Sequence, residues 1–156
     1  MKVDIGIPKA HLQPLATMLN TLLADEYVLY TKTRNYHWNV TGSSFMELHK
    51  LFEGQYEALD EAIDAIAERS RKLGHYAVGS LKQYLAITRL TEDDKATNSK
   101  QMLLNLLHDH ETLIKILRND IAVSADKYKD AGTSDFLTGL MKEHEETAWF
   151  IRSYLS

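Results

Sequence analysis

Apolar residues recur along this chain at steps of three and four, the period of a helix with one buried face. The first such stripe is Leu12, Leu15, Leu19, Leu22, Leu23, Tyr27 and Tyr30, which predicts a helix from about Pro8 to Asn39. Thr41-Gly42-Ser43-Ser44 interrupts it, and Ser44 with Glu47 three residues later reads as a capping box opening a second helix. Phe45, Leu48, Phe52, Tyr56, Leu59, Ile63 and Ile66 form the second stripe, and Gly74 is its expected end. The stretch to Leu90 predicts a long connection with a short helical piece around Ser80 to Ala86, long enough to cross a bundle. A third long helix is expected to begin near Thr91 or Asn98 and to bury Leu103, Leu106, Leu113, Leu117 and Ile121. Asp126 to Thr133 is polar and contains Gly132, which predicts a loop; a fourth helix follows with Leu137, Leu140, Ala148, Ile151 and Leu155 inward. The expectation is an all-α four-helix bundle, with an extra short helix in the crossover between the second and third helices.

Composition narrows this without changing it. A chain of 156 residues with 44% hydrophobic and 26% charged positions fits one domain, taken here as 1–156. The absence of cysteine excludes disulfides, thiol catalysis and iron–sulfur clusters, so a metal would be held by histidine, carboxylate or backbone oxygen. That ligand chemistry favours iron, manganese or zinc. The apolar runs are too short to span a membrane, and Met1 to His11 lacks the pattern of a secretory signal, so the expected location is the cytoplasm. A net charge of −4 and ends with only Lys2, Lys9 and Arg152 among their cations argue against nucleic acid as the main partner.

The candidate chemistry lies on the first two helices. His49 and Glu53 are four residues apart, as are Asp64 and Glu68, so each pair projects from adjacent turns. At about 100° per residue, these four side chains fall within about 100° of one another. His37 joins them from the inward stripe of the first helix, two turns after Tyr30. Acids at such spacing are common on solvated helix faces, and a lone histidine on an apolar face is more often a hydrogen-bonded core residue. The separation of the two pairs adds something a solvated face does not require. Glu53 and Asp64 are about 16 Å apart along a helix, too far to share one ion. Antiparallel packing of two copies about a two-fold axis near Ala58 or Leu59 removes the conflict, because each pair then faces the other across the interface. Two histidines and three carboxylates suit iron, and three acids brought together without metal would push at least one pKa upward.

The run His37-Trp38-Asn39-Val40-Thr41-Gly42, with Phe45, Leu48-His49, Phe52-Glu53, Tyr56, Asp64 and Ala67-Glu68-Arg69, resembles the signature of the Dps family of miniferritins. The likeness continues through Leu73-Gly74, Leu117-Arg118, Gly132-Thr133, Asp135-Phe136-Leu137, His144, Ala148-Trp149 and Ile151-Arg152. It implies a ferritin-like bundle assembled as a hollow homododecamer. It also implies ferroxidase centres at two-fold interfaces, with His37, His49 and Glu53 from one subunit and Asp64 and Glu68 from its partner. Many members carry aspartate where this chain has Glu53, and the longer side chain bears on metal spacing. The implied reaction is oxidation of Fe(II) by hydrogen peroxide in preference to oxygen, with ferric mineral stored inside and the cell protected from oxidative damage. Trp38 matches a tryptophan associated with electron transfer, its plain alternative being a packing aromatic. Asp126, Asp130 and Asp135 match the region lining acidic three-fold pores. Asp135 is alternatively a residue favouring the N-terminus of the fourth helix. Many relatives bind DNA through a lysine-rich extension that these residues lack, so DNA compaction, with association with the nucleoid, is the competing function. A second competitor is a metal site inside one bundle at His110, His144 and Glu26. No Glu-x-x-His pair of the ordinary ferritin kind occurs, so these three are expected to satisfy one another as core polar groups. His11, His75 and His108 are assigned no role.

Overall fold

The computed structural model describes residues 3–95 and 98–156. Its helices are α1 (Lys9–Asn39), α2 (Phe45–Lys72), α3 (Leu81–Ile87), α4 (Ser99–Ala122) and α5 (Ala131–Leu155). The principal packing is α1 along α2 and α4 along α5, and α3 rests against α1. The sequence stripes meet in one core. Leu15, Leu19, Leu22, Leu48, Phe52, Ile66, Leu103, Leu113, Leu117, Leu137 and Ile151 are all essentially inaccessible to water. Each such side chain contributes about 1.5–3 kcal/mol relative to exposure. Phe45 departs from its stripe: it is exposed and packs on the ring of His49 at 5.1 Å between centroids.

The ends of the elements show where local sequence signals hold. Asn98 and Ser80 cap α4 and α3 by accepting the backbone N–H of Gln101 and Gln83. The expected box at Ser44 does not form. Ser44 has φ −97° and ψ 22°, a turn conformation from which its hydroxyl makes no capping bond. The entry is closed instead by Phe45 N–H donating to the carbonyl of Gly42, which sits at φ +110°. Gly74 ends α2 as expected, at φ +86°, and a side chain there would meet Val3 Cγ2 at 2.5 Å.

The polar stretch before α5 is not a simple loop. The chain leaves α4 through a wide turn at Val123–Lys127, closed by Tyr128 N–H donating to the carbonyl of Val123. Ser124 drives this locally, because its hydroxyl donates to the carbonyl of Asp120 and competes with the helical ladder. Lys129 then takes φ +56° and Asp130 opens α5.

The crossover is pinned by one buried acid. Asp25 of α1 accepts from the backbone N–H of Arg89 at 2.6 Å, from Arg89 Nε at 2.8 Å and from Thr88 Oγ1 at 3.0 Å. Among the described residues, no helix is long and apolar enough to cross a membrane.

Candidate metal centre

The turn between α1 and α2 brings His37 and His49 face to face. Their rings stack at 3.8 Å between centroids and 20° between planes. Each lies against the other's backbone: His37 Nδ1 is 2.8 Å from the carbonyl oxygen of His49, and His49 Nδ1 is 2.9 Å from that of His37. A carbonyl oxygen only accepts, so both Nδ1 atoms carry hydrogen. In the neutral rings each Nε2 therefore keeps its lone pair. That is the arrangement of a pair of metal-ligating imidazoles, each anchored through its second nitrogen. The edge of Tyr56 closes one side, 5.2 Å from His37 and at 78° to it.

Glu53 lies one turn beyond His49 on α2. Lys50 donates to it at 2.6 Å and, by that hydrogen bond first, holds its carboxyl below the ordinary range; the fields of His37 and His49 act in the same direction. A cation entering here would compete with an exposed lysine, a weakly held partner. Glu68 is likewise exposed and paired with Lys72 at 3.1 Å, and Asp64 is exposed. The single chain thus brings His37, His49 and Glu53 to one end of α2 and leaves Asp64 and Glu68 further along the same helix. Among the described residues, no three imidazole or carboxylate groups converge on one point. The acids of the proposed centre are not gathered in one chain.

Trp38 is 63% exposed, and the guanidinium of Arg34 lies over its ring at 5.0 Å. The same guanidinium covers Tyr56 at 5.0 Å and donates to the Tyr30 hydroxyl oxygen at 2.6 Å. Arg34 escaped notice in the sequence, although a cation four residues after Tyr30 and three before His37, on the inward stripe of α1, was the available signal.

Asp126 and Asp135 are exposed, as acids of an entry path need to be. Asp130 is not available for that role. It is buried, accepts from Thr133 N–H at 3.0 Å and Thr133 Oγ1 at 2.5 Å, and pairs with Arg69 at 3.1 Å. It is a helix cap tied to α2. Burial pushes its carboxyl upward, but the Thr133 donors and the Arg69 guanidinium outweigh that and hold it below the ordinary value near 3.8. A depressed folded pKa stabilises the fold above the ordinary aspartate range, and that stabilisation is lost as pH falls through the folded value. Asp130→Asn keeps a capping oxygen but no charge. Its unfolding midpoint is expected to fall less steeply than that of the wild type as denaturation curves are taken from pH 6 down to about 3.

Inside the bundle, His110 Nδ1 and His144 Nδ1 are 2.8 Å apart, and His144 Nε2 donates to Glu26 Oε1 at 2.8 Å. The three expected core groups do meet, yet they do not satisfy one another completely. His110 Nε2 and Glu26 Oε2 have no partner, nor does either amide atom of Gln55. Burial, reinforced by His144, holds His110 well below the ordinary histidine range. Burial also lowers His144, but the Glu26 carboxylate outweighs it and holds that ring above the range. Gln55 escaped notice in the sequence, although a polar residue between Phe52 and Leu59 on an inward stripe was the available signal.

A family model described as a ferritin-like domain matches residues 16–156. An uncharacterized low-temperature-induced protein of Nostoc is 46% identical over 99% of this chain and 87% of its own length. The DNA protection during starvation protein 2 of Bacillus anthracis is 35% identical over 89% of this chain and 94% of its own. Among solved structures, the Dps protein of Vibrio cholerae O1 superimposes with a TM-score of 0.94 at 31% identity, covering 100% of this chain and 98% of that one. It is described as a member of a broad superfamily of ferritin-like diiron-carboxylate proteins.

Proposed function

The chain belongs to the Dps family of ferritin-like proteins, and from that premise we propose that it oxidises Fe(II) and stores the ferric product inside a homododecameric shell. The observation that carries the reading is the reciprocal anchoring of His37 and His49, which leaves an Nε2 lone pair on each of two stacked rings, with Glu53 one turn along α2. Iron is the substrate. Two such half-sites, each facing the partner subunit's Asp64 and Glu68 across a two-fold axis, make two complete centres. The imidazoles bind and orient Fe(II), while the carboxylates stabilise the higher charge of the product. Fixed Nδ1–H bonds keep the rings from reorienting as the charge changes.

Hydrogen peroxide is the proposed oxidant, taken in preference to oxygen. Trp38, beside His37 and held under Arg34, is the aromatic side chain placed to pass an electron near the centre. Asp126 and Asp135 are proposed to lie on the cation entry path. Removal of iron and peroxide together would protect DNA without contact to it, in keeping with a chain whose net charge is −4.

The test is anaerobic loading with Fe(II), followed by peroxide or oxygen, with ferric absorbance and assembly mass recorded together. The wild type is expected to oxidise iron faster than buffer and to retain the product within the shell. Equal rates with and without protein would remove the functional claim.

A further inference from the structure

The unsatisfied groups in the bundle interior surround a space of their own. A cavity of about 30 Å³ is lined by Gln55 of α2, His110 of α4, and Glu143, His144 and Thr147 of α5. It has room for one water. Behind it lies Glu26 of α1, 0% exposed, whose one hydrogen-bond or ion-pair partner among the described residues is His144.

We propose that Glu26, His144, His110 and Gln55 form a proton-dependent clasp across the four long helices, closed by an imidazolium at His144 and expressed in the cavity through the tautomer of His110. A buried carboxylate needs a cation, and His144 is the group in place to supply it. As an imidazolium it donates twice, from Nε2 to Glu26 Oε1 and from Nδ1 to His110 Nδ1, each at 2.8 Å. His110 Nδ1 then accepts, so the hydrogen of that neutral ring sits on Nε2, which has no protein partner and donates to the cavity water. Loss of the His144 proton reverses this. Glu26 can only accept, so His144 keeps Nε2–H for it and Nδ1 becomes a lone pair. His110 must then donate from Nδ1, and its Nε2 becomes an acceptor. One proton at His144 thus turns His110 from donor to acceptor at the cavity, with both rings in place.

Gln55 is the second argument. Both of its amide atoms lack partners, and the side chain is 8% exposed, so bulk water does not satisfy it. A fixed donor or a fixed acceptor would suit only one state of His110. An amide carries both, and by turning end for end it serves each state through the same water. A core network with a single state has no use for that property.

The groups facing His144 favour its proton. Burial lowers the ring, but Glu26 of α1, and after it Glu143 of α5, outweigh that and hold it above the ordinary value near 6.5. Burial, and then His144, keep His110 of α4 neutral, and α2 contributes only the uncharged Gln55. Glu143 is exposed and also lines an open groove between α2 and α5, so protons exchange with solvent at that side. The stabilisation from a raised histidine is fully present below the ordinary value and is lost as pH rises through the folded one.

Nitrogen-15 solid-state NMR of the sedimented, histidine-labelled protein reads each ring nitrogen directly, here from about pH 6 to about pH 9. The wild type is expected to show His144 protonated on both nitrogens at the lower end. As that ring loses its Nδ1 proton, His110 should change from Nε2–H to Nδ1–H over the same interval. The His110→Gln protein identifies the signals by their loss. Glu26→Gln, which removes the charge, should leave His144 neutral and His110 as Nδ1–H throughout. In denaturation curves over the same range, the wild-type unfolding constant should rise by up to about tenfold per pH unit relative to Glu26→Gln. The wild-type spectra decide the matter without any variant: if His110 keeps one tautomer across the range, or His144 is neutral throughout, the proposal is overturned.

Discussion

Subunits carrying His49→Ala and subunits carrying Asp64→Ala, each inactive alone, are expected to regain iron oxidation when combined in one shell. The expectation follows from the division of ligands between chains. In a mixed two-fold pair, one centre lacks both His49 and Asp64, while the other receives an intact histidine from one chain and an intact aspartate from its partner. Half of the pairs in an equal random mixture are mixed, so about one quarter of all centres return. Loss of a group that only supports a ligand costs about 10–100-fold, so loss of a ligand should cost at least the upper figure, and recovery to a quarter stands far above that floor. Co-expression with two affinity tags selects the mixed shells, and initial rates of Fe(II) oxidation measure the recovery. Mixed shells that stay as inactive as either parent would mean that His49 and Asp64 do not serve one centre in trans.

The long helices were legible because each depends on a repeated signal. No single residue decides α1 when Leu12, Leu15, Leu19 and Leu22 all agree, and packing rewards the whole stripe. Single-residue signals fared unevenly for physical reasons. Asn98 and Ser80 lie in extended backbone and cap as their chemistry suggests. Ser44, in a turn closed by Gly42, cannot reach the N–H that the capping box requires. The wide turn at Val123–Lys127 arises from one hydroxyl competing with one helical bond, a contest that composition does not reveal.

Site residues divide along the same line. Spacing on one helix marked His49, Glu53, Asp64 and Glu68 as a set, and it also showed that the set spans too great a length for one ion. The reciprocal bonds that fix the tautomers of His37 and His49 run to backbone carbonyls across a turn, so no pattern of residue types could have announced them. Asp130 shows the opposite error. The family resemblance placed it in the lining of an acidic pore, but Thr133 and Arg69 take up its carboxylate within the subunit.

A substitution that touches no ligand but blocks the two-fold contact is expected to abolish oxidation as completely as losing His49. Asp60 is the position to use. At about 100° per residue it lies about 20° from His49 around α2, between the directions of His49 and Glu53, and halfway along the helix between the two ligand pairs. An axis between Ala58 and Leu59 sets His49 opposite the partner subunit's Glu68, Glu53 opposite its Asp64, and Glu57 opposite its Asp60. Asp60 is exposed in the single chain, so a larger side chain there leaves the α1–α2 core undisturbed. Packed helices stand about 8–10 Å apart, which leaves no room for an indole at the centre of the contact. Asp60→Trp should therefore elute as smaller assemblies, keep its helical circular dichroism and oxidise Fe(II) no faster than the His49→Ala protein. Asp60→Asn, similar in size and without the charge, should keep the shell and most of the rate. The pair of variants separates contact from charge: Glu57 and Asp60 crowd acids near the axis, which attracts Fe(II) but opposes association until cations arrive. If Asp60→Trp retained full mass and full rate, α2 would not be the two-fold surface, and the division of the centre between subunits would have to be abandoned.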